Sequence, residues 1–233
     1  MVAVTDQAID QIKQLIVDGE FSAGSRLPKE QELADRLGLS RNSLREAVRA
    51  LALIGVLEAR VGDGTYVTSL EPELLLAGVG FVSDLLQGET LLELQQVRRI
   101  LEPVATAMAA TRLVAEDYVA LESCLERMEA AETTHAFLAA DQEFHRIIVT
   151  ASGNQTLASL IQNLSGGTLR ARLWRAATEQ GAIETTKRRH WDIFEALRER
   201  DPERAGAADL IHLSEGEEWL RDLTEDELRV VSD

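Results

Sequence analysis

The chain has 233 residues, 45% of them hydrophobic, a formal net charge of -16 and one cysteine, Cys124. That length leaves room for one large domain or two modest ones, and the hydrophobic share excludes wholesale disorder. A lone cysteine excludes a disulfide-built secreted domain, the first residues lack the basic-then-apolar pattern of a signal peptide, and the longest apolar run, Leu74 to Val82, is too short to span a bilayer. A cytoplasmic protein without membrane contact is expected.

In chain order, Thr5–Asp18 places Ile9, Ile12 and Ile16 on one helical face. Gly19 to Gly24 ends that helix. Leu27-Pro28 leads into a second helix, Lys29–Leu37, with Pro28 at its start. Gly38-Leu39 makes a tight turn, and Ser40 is a suitable N-cap for a third helix, Arg41–Ile54. Two short β-prone runs then flank Gly62-Asp63-Gly64, which reads as a hairpin. Three helices and a hairpin predict a winged helix over residues 1–69. From there on, apolar residues recur at helical spacing through 71–87, 90–112, 115–131, 135–151, 155–178, 182–200 and 202–221. Seven antiparallel helices over residues 70–233 make a bundle. The fold class expected is therefore mainly α, a winged helix-turn-helix followed by a helical bundle. The last residues, Leu223–Asp233, are acidic and expected to fray.

An overall charge of -16 argues against nucleic acid until it is divided. Residues 1–70 carry only -2, and the rest -14. Between Arg36 and Arg49 stand four arginines (Arg36, Arg41, Arg45, Arg49) and one acid, Glu46. At about 100 degrees per residue, Arg41, Arg45 and Arg49 share one helix face, and Leu44, Ala47 and Leu51 the opposite one. Ser40, Asn42 and Ser43 add hydrogen-bonding groups at the N-terminal end, where a recognition helix meets base edges. Such a cationic stripe is also found on ordinary solvated helices, so the preceding helix, the Gly38 turn and the hairpin carry much of the weight.

The stretch GSRLPKEQELADRLGLSRNSLREAVRALALIGVLEARVGDGTYV resembles the winged helix-turn-helix of the GntR family of bacterial regulators. The resemblance implies DNA contacts from Ser40, Arg41, Asn42, Ser43 and Arg45, and from the wing at Gly62; Arg49 extends the same face. It departs at Gln31, where many members carry arginine, and Lys29 is the available substitute for a phosphate contact.

Asp141 and His145 stand at i, i+4 in AADQEFHRIIVTASGN, which points both side chains the same way. His190 and His212 follow on later helices. One carboxylate and three imidazoles from a bundle suit Zn, Ni, Mn or Fe with positions left open. The same pair is more often a surface hydrogen bond, and spacing alone leaves both readings standing.

This half resembles the FCD sensor domain of the FadR branch of the GntR family. The resemblance implies a metal site of Asp141, His145, His190 and His212, a divalent metal such as Zn, and a small carboxylate effector. Arg98, in QQVRRILEP, matches a recurrent arginine and is the expected clamp for that carboxylate. Arg170, Arg172 and Arg175 are not distinguished from solvent-facing residues by their spacing. His135 matches no ligand position. The function expected is a homodimeric, ligand-responsive repressor on a palindromic operator, and no catalytic residue is assigned. Two other readings stand beside it: a metal-dependent enzyme acting on an organic acid, and a regulator whose metal is purely structural.

Overall fold

The computed structural model describes residues 4–85, 89–223 and 227, and divides into two compact units, Met1–Gly78 and Val79–Asp233. The frayed tail expected beyond Leu223 lies almost wholly outside the described residues. Among them are eleven helices and one two-stranded sheet, and no helix is long and apolar enough to cross a membrane.

The first unit packs α1 (Val4–Val17), α2 (Glu30–Leu37) and α3 (Arg41–Leu53) with β1 (Leu57–Arg60) and β2 (Gly64–Val67). Its core is Ile12, Leu33, Leu44, Ala47, Leu51 and Leu57, all at most 3% exposed. Ser40 caps α3 by accepting from the Ser43 N–H at 3.0 Å. Gly38 ends α2 in the left-handed conformation at φ 66°, which costs glycine least. α2 begins at Glu30 rather than at Lys29, which stands as its N-cap at φ -58° and ψ 144°, with Pro28 before it. The strands pair antiparallel with Leu57 opposite Val67, and the Leu27 N–H adds a bond to the Thr65 carbonyl at 2.8 Å.

α4 (Pro72–Leu85) carries the chain into the second unit, which contains α5 (Glu89–Ala110), α6 (Ala115–Glu129), α7 (Thr134–Ala151), α8 (Gln155–Gly167), α9 (Leu169–Thr178), α10 (Ala182–Arg198) and α11 (Pro202–Asp222). α5 and α11 pack closely. A Cβ on Gly206 would meet the Pro103 carbonyl oxygen at 3.0 Å, so the missing side chain lets α11 lie against α5. One turn on, Thr106 donates to Asp209 at 2.8 Å and pins the pair. The main core, which includes Leu121, Leu125, Met128, Phe144, Ile148 and Ile193, lies among α6, α7 and α10.

The single helix expected over 155–178 is two helices. The chain breaks at Thr168, where the φ/ψ of -93°/-1° marks both the end of α8 and the start of α9. Gly166 and Gly167 weaken the helix there. A Cβ on Gly167 would stand 2.7 Å from the Ser83 carbonyl oxygen, so the glycine admits a neighbouring backbone.

Candidate metal centre and nucleic-acid interface

Asp141, His145, His190 and His212 are brought together inside the second unit. One donor atom from each lies within 4.8 Å of the others. α7 supplies the first two, one turn apart, and α10 and α11 supply one histidine each. His190 Nε2 stands 3.0 Å from Asp141 Oδ1 and 3.2 Å from His145 Nε2. His145 Nε2 is 4.0 Å from the same Asp141 oxygen. Donors bound to one ion at about 2.0–2.2 Å lie roughly 3 Å or more apart, so this spacing fits a shared cation. Asp141 is 2% exposed and His190 fully buried, and Phe144 sets its ring edge-on to both His145 and His190.

The protonation states favour the same chemistry. Burial pushes the His145 ring down to about 4, against the opposing pull of Asp141. Burial also lowers His212 well below the ordinary range, and the neighbouring His190 and His145 rings add to it. Burial alone would raise the Asp141 carboxyl, but Arg172 and then His190 outweigh it and hold it well below its usual value. The site therefore offers a carboxylate, and neutral imidazoles at His145 and His212, near pH 7. His190 Nδ1 lies 2.7 Å from the Thr186 carbonyl and donates to it, and its Nε2 faces the cluster.

A second layer of charge surrounds the four. Arg172 donates from Nη1 to Asp141 Oδ2 at 2.5 Å, so one carboxylate oxygen meets the guanidinium while the other faces the histidines. Arg98 is 2% exposed and lines the adjoining cavity. Its fork is engaged by Glu102, Nε to Oε1 at 2.5 Å and Nη2 to Oε2 at 3.2 Å. Its Nη1 donates to Thr168 at 2.7 Å and Gln95 at 3.3 Å. Glu102, His145 and Asp209 form a second convergent group. Asp209 is 1% exposed and its Oδ1 has no hydrogen-bond partner. Burial, and then the charge of Glu102, push its carboxyl up to about 7.

In the first unit, Leu44, Ala47, Val48 and Leu51 face the core, while Arg41, Asn42 and Arg49 are exposed. Glu30, at the start of α2, gathers the cationic stripe. Arg45 donates to it through Nε and Nη2 at 3.2 Å each, and Arg41 Nε lies 3.7 Å away. Arg49 pairs instead with Glu46 at 2.9 Å. Gly62 turns the wing at φ 76°, where L side chains are strained. Asp63, beside it, accepts from the Tyr66 hydroxyl at 2.8 Å and from Arg26 through its carbonyl. Gln31 is exposed and donates to Asp35 at 2.8 Å. Lys29 is exposed.

Residues 4–67 match the bacterial regulatory proteins of the gntR family, and residues 93–215 match the FCD domain. The chain belongs to the GntR family. This GntR regulator is 30% identical to the Glc operon transcriptional activator of Escherichia coli over 94% of its own length and 90% of that protein's. It is 27% identical to the galactonate operon transcriptional repressor of Escherichia coli, over 94% and 98%. Among solved structures it is similar to Streptococcus agalactiae GntR, with a TM-score of 0.66, 29% identity, and coverage of 92% of this chain and 99% of that one. The GntR protein is thus a DNA-binding transcriptional regulator, and the enzymatic reading gives way to the family.

Two residues beside these candidate sites carry no sequence signal of their own. Arg172 is one of three arginines on α9, and only the break at Thr168 sets which of them meets Asp141. Glu30 stands fifteen residues from Arg45, and a helix-turn-helix signal that places α2 against α3 is the feature that finds it.

Proposed function

We propose that this regulator is a cytoplasmic, homodimeric repressor that binds a palindromic operator and senses a small carboxylate through a divalent metal held by Asp141, His145, His190 and His212. The observation that carries the sensing half is the convergence of one carboxylate and three imidazoles from three helices in a buried centre. A divalent ion such as Zn supplies a Lewis-acid docking point for carboxylate and hydroxyl oxygens. Its neighbour Arg172 supplies fixed positive charge on the cavity side. The relatives' names include both an activator and a repressor, so the sign of regulation is part of the proposal.

For DNA, the reading assigns Ser40, Arg41, Asn42, Ser43, Arg45, Arg49 and Gly62 to the duplex. The exposed polar N-terminal end of α3 and its arginine face support it. A homodimer is supported by α5, where Val97, Ile100 and Val104 form an apolar stripe at 40%, 63% and 55% exposure. Two-fold symmetry of the protein then matches two-fold symmetry of the operator. The acid binds one arrangement of the DNA-reading domains better than the other and shifts their equilibrium.

The test is elemental analysis of the purified protein, followed by operator binding with and without candidate acids. One divalent ion per chain, lost in His190→Ala, together with acid-dependent operator release, is the expected result. Full metal content in His190→Ala removes the four-ligand site. A metal whose removal unfolds the bundle, rather than only abolishing the response to acid, makes it structural.

A further inference from the structure

We infer that the effector carries an apolar tail, a branched aliphatic or aryl group on its carboxylate head, rather than a chain of hydroxyls; this rests on the carboxylate-sensing reading above and specifies it. The cavity beside the metal centre measures about 60 Å³. Asp141 and His212 line it at the cluster end.

The helices that supply the ligands also build its walls. On α7, Phe137 stands one turn before Asp141. On α11, Leu213, Trp219 and Leu220 follow His212. On α10, Ile183 precedes His190 by about two turns. A ligand reaching away from the centre therefore runs between aromatic and aliphatic side chains.

Four polar side chains in the wall already have partners, while Thr186 and Trp219, which also line it, carry a hydroxyl and an indole N–H. Gln95 donates to the Leu213 carbonyl at 2.9 Å and accepts from Arg98. Thr168 donates to the Ser165 carbonyl at 3.1 Å and accepts from Arg98. Arg98 is held by Glu102, and Arg175 donates to Glu179 at 2.5 Å. Arg172 differs. Its Nη1 is on Asp141, but its Nε is buried with no hydrogen-bond partner. The cavity thus sets the Arg172 guanidinium beside the cluster end and a mostly apolar wall beyond it. A hydroxyl buried against that wall without a partner lowers affinity by about tenfold or more, whereas each buried methylene raises it about three- to fourfold.

The experiment is calorimetric titration of the full-length, zinc-loaded protein with three acids: glycolate, 2-hydroxyisocaproate and gluconate. The last two have six carbons each and differ in the character of the tail. The expected result is that 2-hydroxyisocaproate binds at least about tenfold more tightly than either of the others. Ala176→Phe, which fills the cavity wall, is expected to weaken 2-hydroxyisocaproate more than glycolate. Gluconate binding as tightly as 2-hydroxyisocaproate, or more tightly, overturns the inference and leaves carboxylate sensing in place. Equal effects of Ala176→Phe on the two hydroxy acids overturn the assignment of the tail to this cavity. Failure of all three acids to bind overturns the sensing reading and the inference with it.

Discussion

Arg172 and Asp141 meet through Nη1 and Oδ2 at 2.5 Å, and this contact turns the other carboxylate oxygen toward His190 Nε2 at 3.0 Å. The guanidinium acts as an orienting group for the carboxylate, and partners of that kind matter to metal affinity nearly as much as the ligands. Arg172→Met is expected to weaken zinc binding about 10–100-fold, measured by competition with a chelator of known affinity. It also leaves Asp141 buried without its cationic partner in the metal-free protein, so the apo form should lose several kcal/mol of stability, about 3–5 for a broken buried pair. An unchanged zinc affinity would remove Arg172 from the centre.

Asp209 predicts a pH dependence. Its carboxyl titrates at about 7 in the folded chain, raised by burial and by Glu102. The folded protein therefore holds a proton that the unfolded chain releases near pH 4. Stability from this group is full below that pH and is lost as pH rises through about 7. His145, held down to about 4, works in the opposite sense, but its contribution is complete once pH passes the unfolded value near 6.5. Between pH 6.5 and 8 the melting temperature of the chelator-treated protein should fall more steeply than that of Asp209→Asn. Parallel melting curves across that window would show that Asp209 is ionised throughout.

Much of the DNA-reading unit is legible in the sequence because its signals are local. Ser40 caps the helix that it precedes, Gly38 takes the positive φ that a turn demands, and Leu44, Ala47 and Leu51 are buried as their spacing requires. Asp141 and His145 share a helix turn and are equally readable. Arg98 is less so. Its position in the bundle follows from the sequence, but its engagement with Glu102 one turn away, Gln95 and Thr168 emerges only in three dimensions. Asp209, without a partner for one oxygen, gives no sequence signal either, because its environment is the seam between α5 and α11.

Glu30 gathers Arg41 and Arg45 where phosphates are expected to lie. Removing its charge should raise affinity for arbitrary duplex DNA and steepen the salt dependence by about one unit in the log–log slope. Arg45→Ala should instead weaken operator binding by about 1–3 kcal/mol. Anisotropy titrations of Glu30→Gln and Arg45→Ala at several salt concentrations separate the two effects. If Glu30→Gln lowers non-specific affinity, the glutamate is holding Arg45 in its reading position rather than competing with phosphate.

Ile100 is 63% exposed between Val97 and Val104 on α5. A helix that leaves three aliphatic side chains at i, i+3 and i+7 in water gains stability when a second surface covers them, at about 25 cal/mol per Å² of apolar area. A charge placed at the centre of such a stripe should prevent that cover while leaving the monomer folded, because the position is outside the core. Ile100→Glu is expected to sediment as a monomer, to keep the helical circular dichroism of the parent, and to bind an operator half-site far better than it discriminates a full palindrome. A dimer that survives Ile100→Glu unchanged would place the two-fold interface on another face of the bundle.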